Sequence, residues 1–166
     1  YVSGSRSDYG PVRHVLQSIN ECPDLDVSVL VTGMHLDHLH GETWREIAED
    51  GFIIAEFVHG RVSGDSLTEM AASLGKYLTG MSYAMSRIRP DILLVLGDRG
   101  EQLAASIAGA FHNTVVVHLC GGSTSGSIDD SVRHAITKFA HYHLPAMKEH
   151  AQRIIQMGED PARVFY

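Results

Sequence analysis

Only two cysteines occur, Cys22 and Cys120, far apart and without CxxC spacing. That leaves no disulfide framework and points to a reducing cytoplasm as the compartment. No apolar run reaches 18 residues, so no membrane-spanning helix is expected. Basic residues are outnumbered, with 13 Lys and Arg against 20 Asp and Glu, a formal net charge of -7. A surface of that sign does not hold a nucleic-acid backbone. Linkers, internal repeats and low-complexity stretches are missing too. The sequence opens at Tyr1 without a start methionine, so its N-terminus carries no information on targeting.

What is present suits one compact domain: 166 residues, 44% of them hydrophobic, are enough to bury a full core. Val27 to Val31, Ile92 to Leu96 and Thr114 to His118 are continuous apolar runs, the pattern of strands buried on both faces. Between them, Leu67, Met70, Ala71, Leu74, Leu78, Met81, Met85 and Ile88 recur every three or four residues, which predicts a long amphipathic helix closed by Pro90. Its apolar face also offers a surface for a homo-oligomer. Further helices are expected over 11–20, 43–49, 101–111, 130–140 and 147–157. This alternation predicts an α/β fold, a parallel sheet covered by helices through right-handed crossovers. Tyr1 to Gly4 reads as the tail of a strand and Arg163 to Tyr166 as the start of another, as in a piece of a longer protein.

Polar residues gather where the strands end. Gly4-Ser5-Arg6-Ser7-Asp8-Tyr9-Gly10, Thr32-Gly33-Met34-His35, Gly97-Asp98-Arg99 and His118-Leu119-Cys120-Gly121-Gly122 all follow candidate strands. In an open parallel sheet the ligand crevice lies at that edge. The first segment joins a strand to a helix, where glycines admit a ligand and free N–H groups face a phosphate, with Arg6 as a further contact. It reads equally as a plain turn with Asp8 as the helix cap. Asp98 emerges from the most apolar strand, where desolvation suits a carboxyl to proton transfer. On spacing alone, a cap for the helix starting near Gly100 is the stronger reading of Asp98. Asp129 and Asp130 begin another helix behind a Gly/Ser loop; the dipole stabilises them there whatever else they do. Arg133 and His134 follow one turn later, able to face the same crevice.

Other residues lead less far. His35, His38 and His40 lack an HExxH or an equivalent partner pair, so this tract reads as a loop over the crevice with His35 near the ligand rather than as a metal site. Cys120 has no Cys-His signature around it and reads as a small buried residue.

Taken together, these segments resemble the UDP-N-acetylglucosamine 2-epimerase family, in its hydrolysing, sialic-acid-pathway branch. Gly4 to Tyr9 is similar to that branch's G-[ST]-R-[AS]-D-Y, Val31 to Leu36 to its V-T-G-M-H-L, and Val95 to Arg99 to its V-x-G-D-R. Ile128 to Lys138 resembles its I-D-D-S-I-R-H-A-I-T-K. The resemblance implies a Rossmann-like domain, the first half of a glycosyltransferase-B type two-domain architecture, with a UDP-sugar in the cleft. It implies elimination of UDP across C1–C2 and addition of water to the glycal, with no metal or nicotinamide. By position it makes Asp98, Asp129 and Asp130 the acid-base candidates. Arg6, Gly10, His35, Arg99, His118, Ser131, Arg133 and His134 become the substrate-binding set. The chain departs from the pattern at H-x-[HE]-G-G-E, where it has Cys120 and Ser123, so a titratable residue and a carboxylate are missing. Two alternatives follow: a UDP-sugar-binding or regulatory homologue with impaired catalysis, and a non-hydrolysing epimerase. A glycosyltransferase would share the architecture but not the Asp-Asp-Ser-x-Arg-His segment.

Overall fold

The computed structural model describes residues 1–166 apart from Ser63, Asp65 and the side chain of His40. Among the described residues six strands and six α-helices alternate, beginning with β1 (Val2–Ser3), α1 (Arg6–Asn20), β2 (Ser28–Thr32), α2 (Trp44–Glu49), β3 (Ile53–Val58) and α3 (Leu67–Ile88). They continue with β4 (Ile92–Leu96), α4 (Gly100–Phe111), β5 (Val115–Leu119), α5 (Ile128–Phe139), β6 (Tyr142–Leu144) and α6 (Lys148–Gln156). All strand pairs are parallel, in two ladders ordered β1-β2-β3 and β4-β5-β6. β1 lies beside β4, so the two ladders abut and the strand order reverses at that seam. This is a Rossmann-like α/β domain.

Both faces of the strands are covered, which accounts for their unbroken apolar runs. Val2, Leu30, Leu93, Val95 and Val116 pack against Tyr77, Met81 and Met85 of α3 and Ala104, Ala105 and Ala108 of α4. The alternate residues Val29, Val31, Leu94 and Leu96 turn to Tyr9, Val12 and Leu16 of α1 and Ile47 of α2. At the outer end of α3, Leu67 is 85% exposed. Among the described residues no helix is long and apolar enough to cross a membrane.

Three local outcomes differ from the sequence pattern. α1 starts at Arg6 rather than Pro11, because Asp8 in its first turn accepts from the Ser5 N–H and caps the helix ahead of the proline. Pro11 then sits inside the helix, and Gly10 is helical and exposed. β3 and β6 went unmarked. β3 carries exposed Ile53 and half-exposed Phe57, and β6 is only three residues long. Val164 forms one parallel bridge to His143 beside β6.

No backbone ladder joins β1 to β4 among the described residues; the side chain of Gln102 does so instead. It is fully buried, its Nε2 donates to the Val2 carbonyl at 3.1 Å, and its Oε1 accepts from the Leu96 N–H at 3.4 Å. The carboxamide thus stands in for a missing peptide group. Nε2 also reaches Asp8 Oδ2 at 3.3 Å. Asp8 is itself buried and takes three more donors: Ser3 Oγ at 2.7 Å, the Gly4 N–H at 3.0 Å and the Ser5 N–H at 3.3 Å. Burial pushes the Asp8 carboxyl up, and the hydroxyl and N–H donors oppose that.

Ser3 spends its one proton on Asp8, so its oxygen accepts from His35 Nε2 at 2.8 Å. His35 is therefore the Nε2–H tautomer, with Nδ1 accepting from Thr43 Oγ1 at 2.7 Å. His118 on β5 is equally buried, with Nε2 donating to the Gly97 carbonyl at 2.8 Å and Nδ1 3.2 Å from Thr137 Oγ1. Burial pushes both rings down to about 4.

Two measurements test this interior. Gln102→Leu strands the Val2 carbonyl and the Leu96 N–H, and should cost about 2–6 kcal/mol in denaturant unfolding, at about 1–3 kcal/mol per buried unpaired group. A loss under about 0.5 kcal/mol would mean that the seam does not rely on this side chain. The histidines set a pH dependence. Below the ordinary histidine value of about 6.5 the unfolded chain takes up protons that the folded rings refuse. Stability is then flat above that pH and falls as pH drops toward 4, by at most about 1.4 kcal/mol per pH unit for each ring. NMR should show both rings still neutral at pH 5.5; titration near 6.5 would contradict their enclosure.

Candidate functional site

Because every strand is parallel, β1, β2, β4 and β5 deliver their following residues to the same edge. Arg6, the first residue of α1, follows β1 and pairs with Glu46 of α2, Nε to Oε1 at 3.1 Å. The N-termini of α1, α4 and α5 point their free N–H groups and positive dipole ends toward that edge. Such an edge favours an anionic ligand.

Arg133 organises one corner. Its side chain is 6% exposed and bridges Asp98 and Asp130: Nη2 bonds Asp98 Oδ2, and Nη1 bonds Asp130 Oδ1 at 2.8 Å and the Ser123 carbonyl at 2.9 Å. Asp98 does not cap α4; the cap position is Arg99, and the Asp98 carboxylate crosses to α5. His118 fixes the turn from which Asp98 projects, through the Gly97 carbonyl. Asp130 reaches back to its own loop, accepting from the Ser125 N–H at 2.7 Å and the Gly126 N–H at 2.9 Å. Those bonds, with help from the Ser125 hydroxyl and Arg133, hold its carboxyl down at about 2. It is a fixed negative charge at neutral pH. Asp129 is exposed and, among the described residues, its carboxylate is bonded to Ser127 alone, the cap of α5, with Ser127 Oγ donating to Oδ2 at 2.9 Å.

The remaining candidates spread out. Ser131 is exposed and His134 half-buried, with His134 Nε2 enclosed and unpartnered among the described residues. His35 and His118, expected near the ligand, lie in the wall with both ring nitrogens bonded to protein groups. His38 pairs with Glu42 at 3.1 Å, the His40 side chain lies outside the described residues, and no metal-holding group of three His, Cys, Asp or Glu forms among the described residues. Cys120, read from the sequence as a small buried residue, is instead exposed at φ 60°, and partial desolvation of its thiol pushes it up, so it carries no ready thiolate. Ser123 contributes its carbonyl.

Sequence reasoning missed Glu101 and Gln102. Glu101 is 6% exposed and accepts at Oε1 from Arg99 Nε and Nη2, both at 3.2 Å. The signal was composition: α4 is otherwise apolar or small, so it is buried nearly all round and takes its few polar side chains inside with it. A cavity of about 360 Å³ beside Gly33 opens beyond β2 and β3, walled in part by the Arg61–Asp37 ion pair at 2.6 Å.

The sequence profile described as UDP-N-acetylglucosamine 2-epimerase matches residues 17–166. The UDP-N,N'-diacetylbacillosamine 2-epimerase (hydrolyzing) of Legionella pneumophila is 45% identical over 99% of this chain and 44% of its own length. The UDP-N-acetylglucosamine 2-epimerase of Neisseria meningitidis serogroup B is 36% identical over 95% of this chain and 41% of its own. The chain thus spans less than half the length of these relatives. A crystal structure of UDP-GlcNAc 2-epimerase from Neisseria meningitidis bound to UDP-GlcNAc superposes with TM-score 0.84 at 15% identity, over 99% of this chain and 44% of that one. That of Methanocaldococcus jannaschii, in complex with UDP-GlcNAc and UDP, gives TM-score 0.84 at 16% identity, with the same shares covered. These likenesses establish the fold, and the profile match over most of the sequence establishes that the chain belongs to the UDP-N-acetylglucosamine 2-epimerase family.

Proposed function

We propose that this domain is the first of two in a glycosyltransferase-B type hydrolysing 2-epimerase, converting a UDP-N-acetylhexosamine and water into UDP and the free 2-epimeric sugar. UDP-N-acetylglucosamine giving N-acetylmannosamine is the parent case. A diacetylated bacillosamine-type sugar, the substrate in the Legionella relative's name, would use the same bonds. The observation that carries this reading is the Arg133 bridge, which holds a candidate base, Asp98, beside a carboxylate that stays charged.

In the elimination, a carboxylate removes the proton on C2, the C–H pair becomes the C1=C2 bond, and the C1–O bond breaks with its pair going to UDP. In the addition, C2 regains a proton on the opposite face while water bonds to C1 and gives up a proton. Asp98 is the base of the first step. Asp130, already held at about 2, has no proton to give at neutral pH and serves as fixed charge. Asp129, free of Arg133 and exposed, is the remaining acid-base candidate, and Arg6 and Arg99 take the diphosphate.

Asp98→Asn in the whole protein should lower UDP release from the UDP-sugar by about 10²–10⁴-fold, the usual size of a lost general acid or base. The melting temperature should move little. Unchanged turnover would remove Asp98 from the mechanism. An impaired binding homologue is the second reading, favoured by Cys120 with its raised thiol and by Ser123, which offers only a carbonyl. Cys120→Glu with Ser123→Glu decides between them. A parent that binds UDP-sugar but releases UDP only after this double change is the impaired homologue; a parent already as fast as the variant is the enzyme.

A further inference from the structure

Glu101 has no place in the mechanism above, yet it is a carboxylate enclosed where three strands end. A Cβ built on Gly4 would lie 2.8 Å from its Oε1, and one on Gly33 2.6 Å. Both glycines therefore leave room for this one oxygen, and any larger residue at either would push it away. Gly33 also stands at φ 59°, in the left-handed region that favours glycine. A helix-dipole carboxylate at the start of α4 would need no such enclosure; it would be solvated.

The same oxygen receives both Nε and Nη2 of Arg99 at 3.2 Å, and Nη2 further contacts Met34 Sδ at 3.6 Å. The guanidinium is thus gripped along one side. Among the described residues no hydrogen bond uses Nη1, and the Arg99 side chain is 36% exposed. Its partly exposed position leaves the ungripped Nη1 donors available to a ligand. A guanidinium binds an anion well only when its fork is held at a fixed angle, because each long side chain otherwise loses rotamer entropy on binding.

We propose that Glu101 is a positioning residue: anchored in the space left by Gly4 and Gly33, it aims Arg99 at the diphosphate of the leaving nucleotide. This rests on the UDP-sugar reading above. It adds the statement that the phosphate contact depends on a buried carboxylate behind it. Glu101 touches no substrate atom and acts only through Arg99.

A double-mutant cycle in the whole protein tests this, reading UDP release and, separately, UDP affinity by calorimetry. Glu101→Gln keeps the shape and removes the charge; it should lower kcat/KM and UDP affinity each by about 10-fold or more. In the Arg99→Ala background the same change should cost less than about 2-fold, since nothing remains for Glu101 to aim. A merely structural role would cost the same in both backgrounds, and that result overturns the proposal, as does an unaffected Glu101→Gln protein. Should Glu101→Gln fail to fold, Glu101→Asp, one methylene shorter, is read through the same cycle with the same outcomes. A wild-type protein that binds UDP but releases none from a UDP-sugar sinks the epimerase reading alone, and the affinity cycle then still decides for or against Glu101.

Discussion

The seam between β1 and β4 is the constraint on which the rest of the domain depends. At that line the strand order reverses, where open parallel sheets carry their ligand crevice, and among the described residues the two three-stranded ladders meet without sharing a backbone hydrogen bond. Only a group with one donor and one acceptor, set at peptide spacing, can close such a gap without leaving polar atoms unpaired. Gln102 is that group, and the Asp8 contact extends its hold to the loop before α1. One side of the crevice, built from Gly4, Arg6 and Gly33, is in this way locked to the other, built from Asp98 and the loop before α5. The lock comes from α4, the helix that also carries Arg99 and Glu101. Positioning of the site and cohesion of the sheet are the same set of bonds.

How much of this was legible in the sequence depended on the range of the physics. The alternation of apolar runs and helical periods is local, so four strands, the long α3 and the parallel arrangement could be read from it. β3 escaped because Ile53 and Phe57 face solvent while Glu56 pairs with Arg87, which spoils both the continuous and the alternating pattern. The start of α1 escaped because Pro11 outweighed the Asp8 cap in a reading by propensity. Which side chain faces the crevice is not local at all. His35 and His118 follow strands or close them, as site residues do, yet each is consumed by bonds to Ser3 and Thr43 or to Gly97 and Thr137, partners 8 to 32 positions away. No spacing rule carries that information.

Those two histidines also show how a polar interior can be kept neutral without being inert. Each imidazole donates from Nε2 to a fixed acceptor, Ser3 Oγ for His35 and the Gly97 carbonyl for His118, and burial disfavours a second proton on either ring. A lysine or arginine there would need a buried counter-charge. A leucine would abandon Ser3 or the Gly97 carbonyl. The imidazole holds a turn in place while adding no charge to an edge already crowded with Arg6, Arg99, Arg133 and three carboxylates.

The carboxylates divide along a similar line. Asp98 and Asp130 lean on one guanidinium, but Asp130 also draws two backbone N–H groups from the loop before α5, whereas Asp98 has only Arg133 among the described residues. A charge held by backbone donors cannot follow a proton, because those donors cannot turn away without unwinding the loop. A charge held by a side chain alone is not tied in this way, since the guanidinium has Asp130 as a second partner. The pair therefore has one member tied to the backbone, which keeps Arg133 and with it the Ser123 carbonyl in place, and one member tied only to the guanidinium. That asymmetry, more than the mere clustering of acids, is what favours Asp98 over Asp130 in the proposed mechanism.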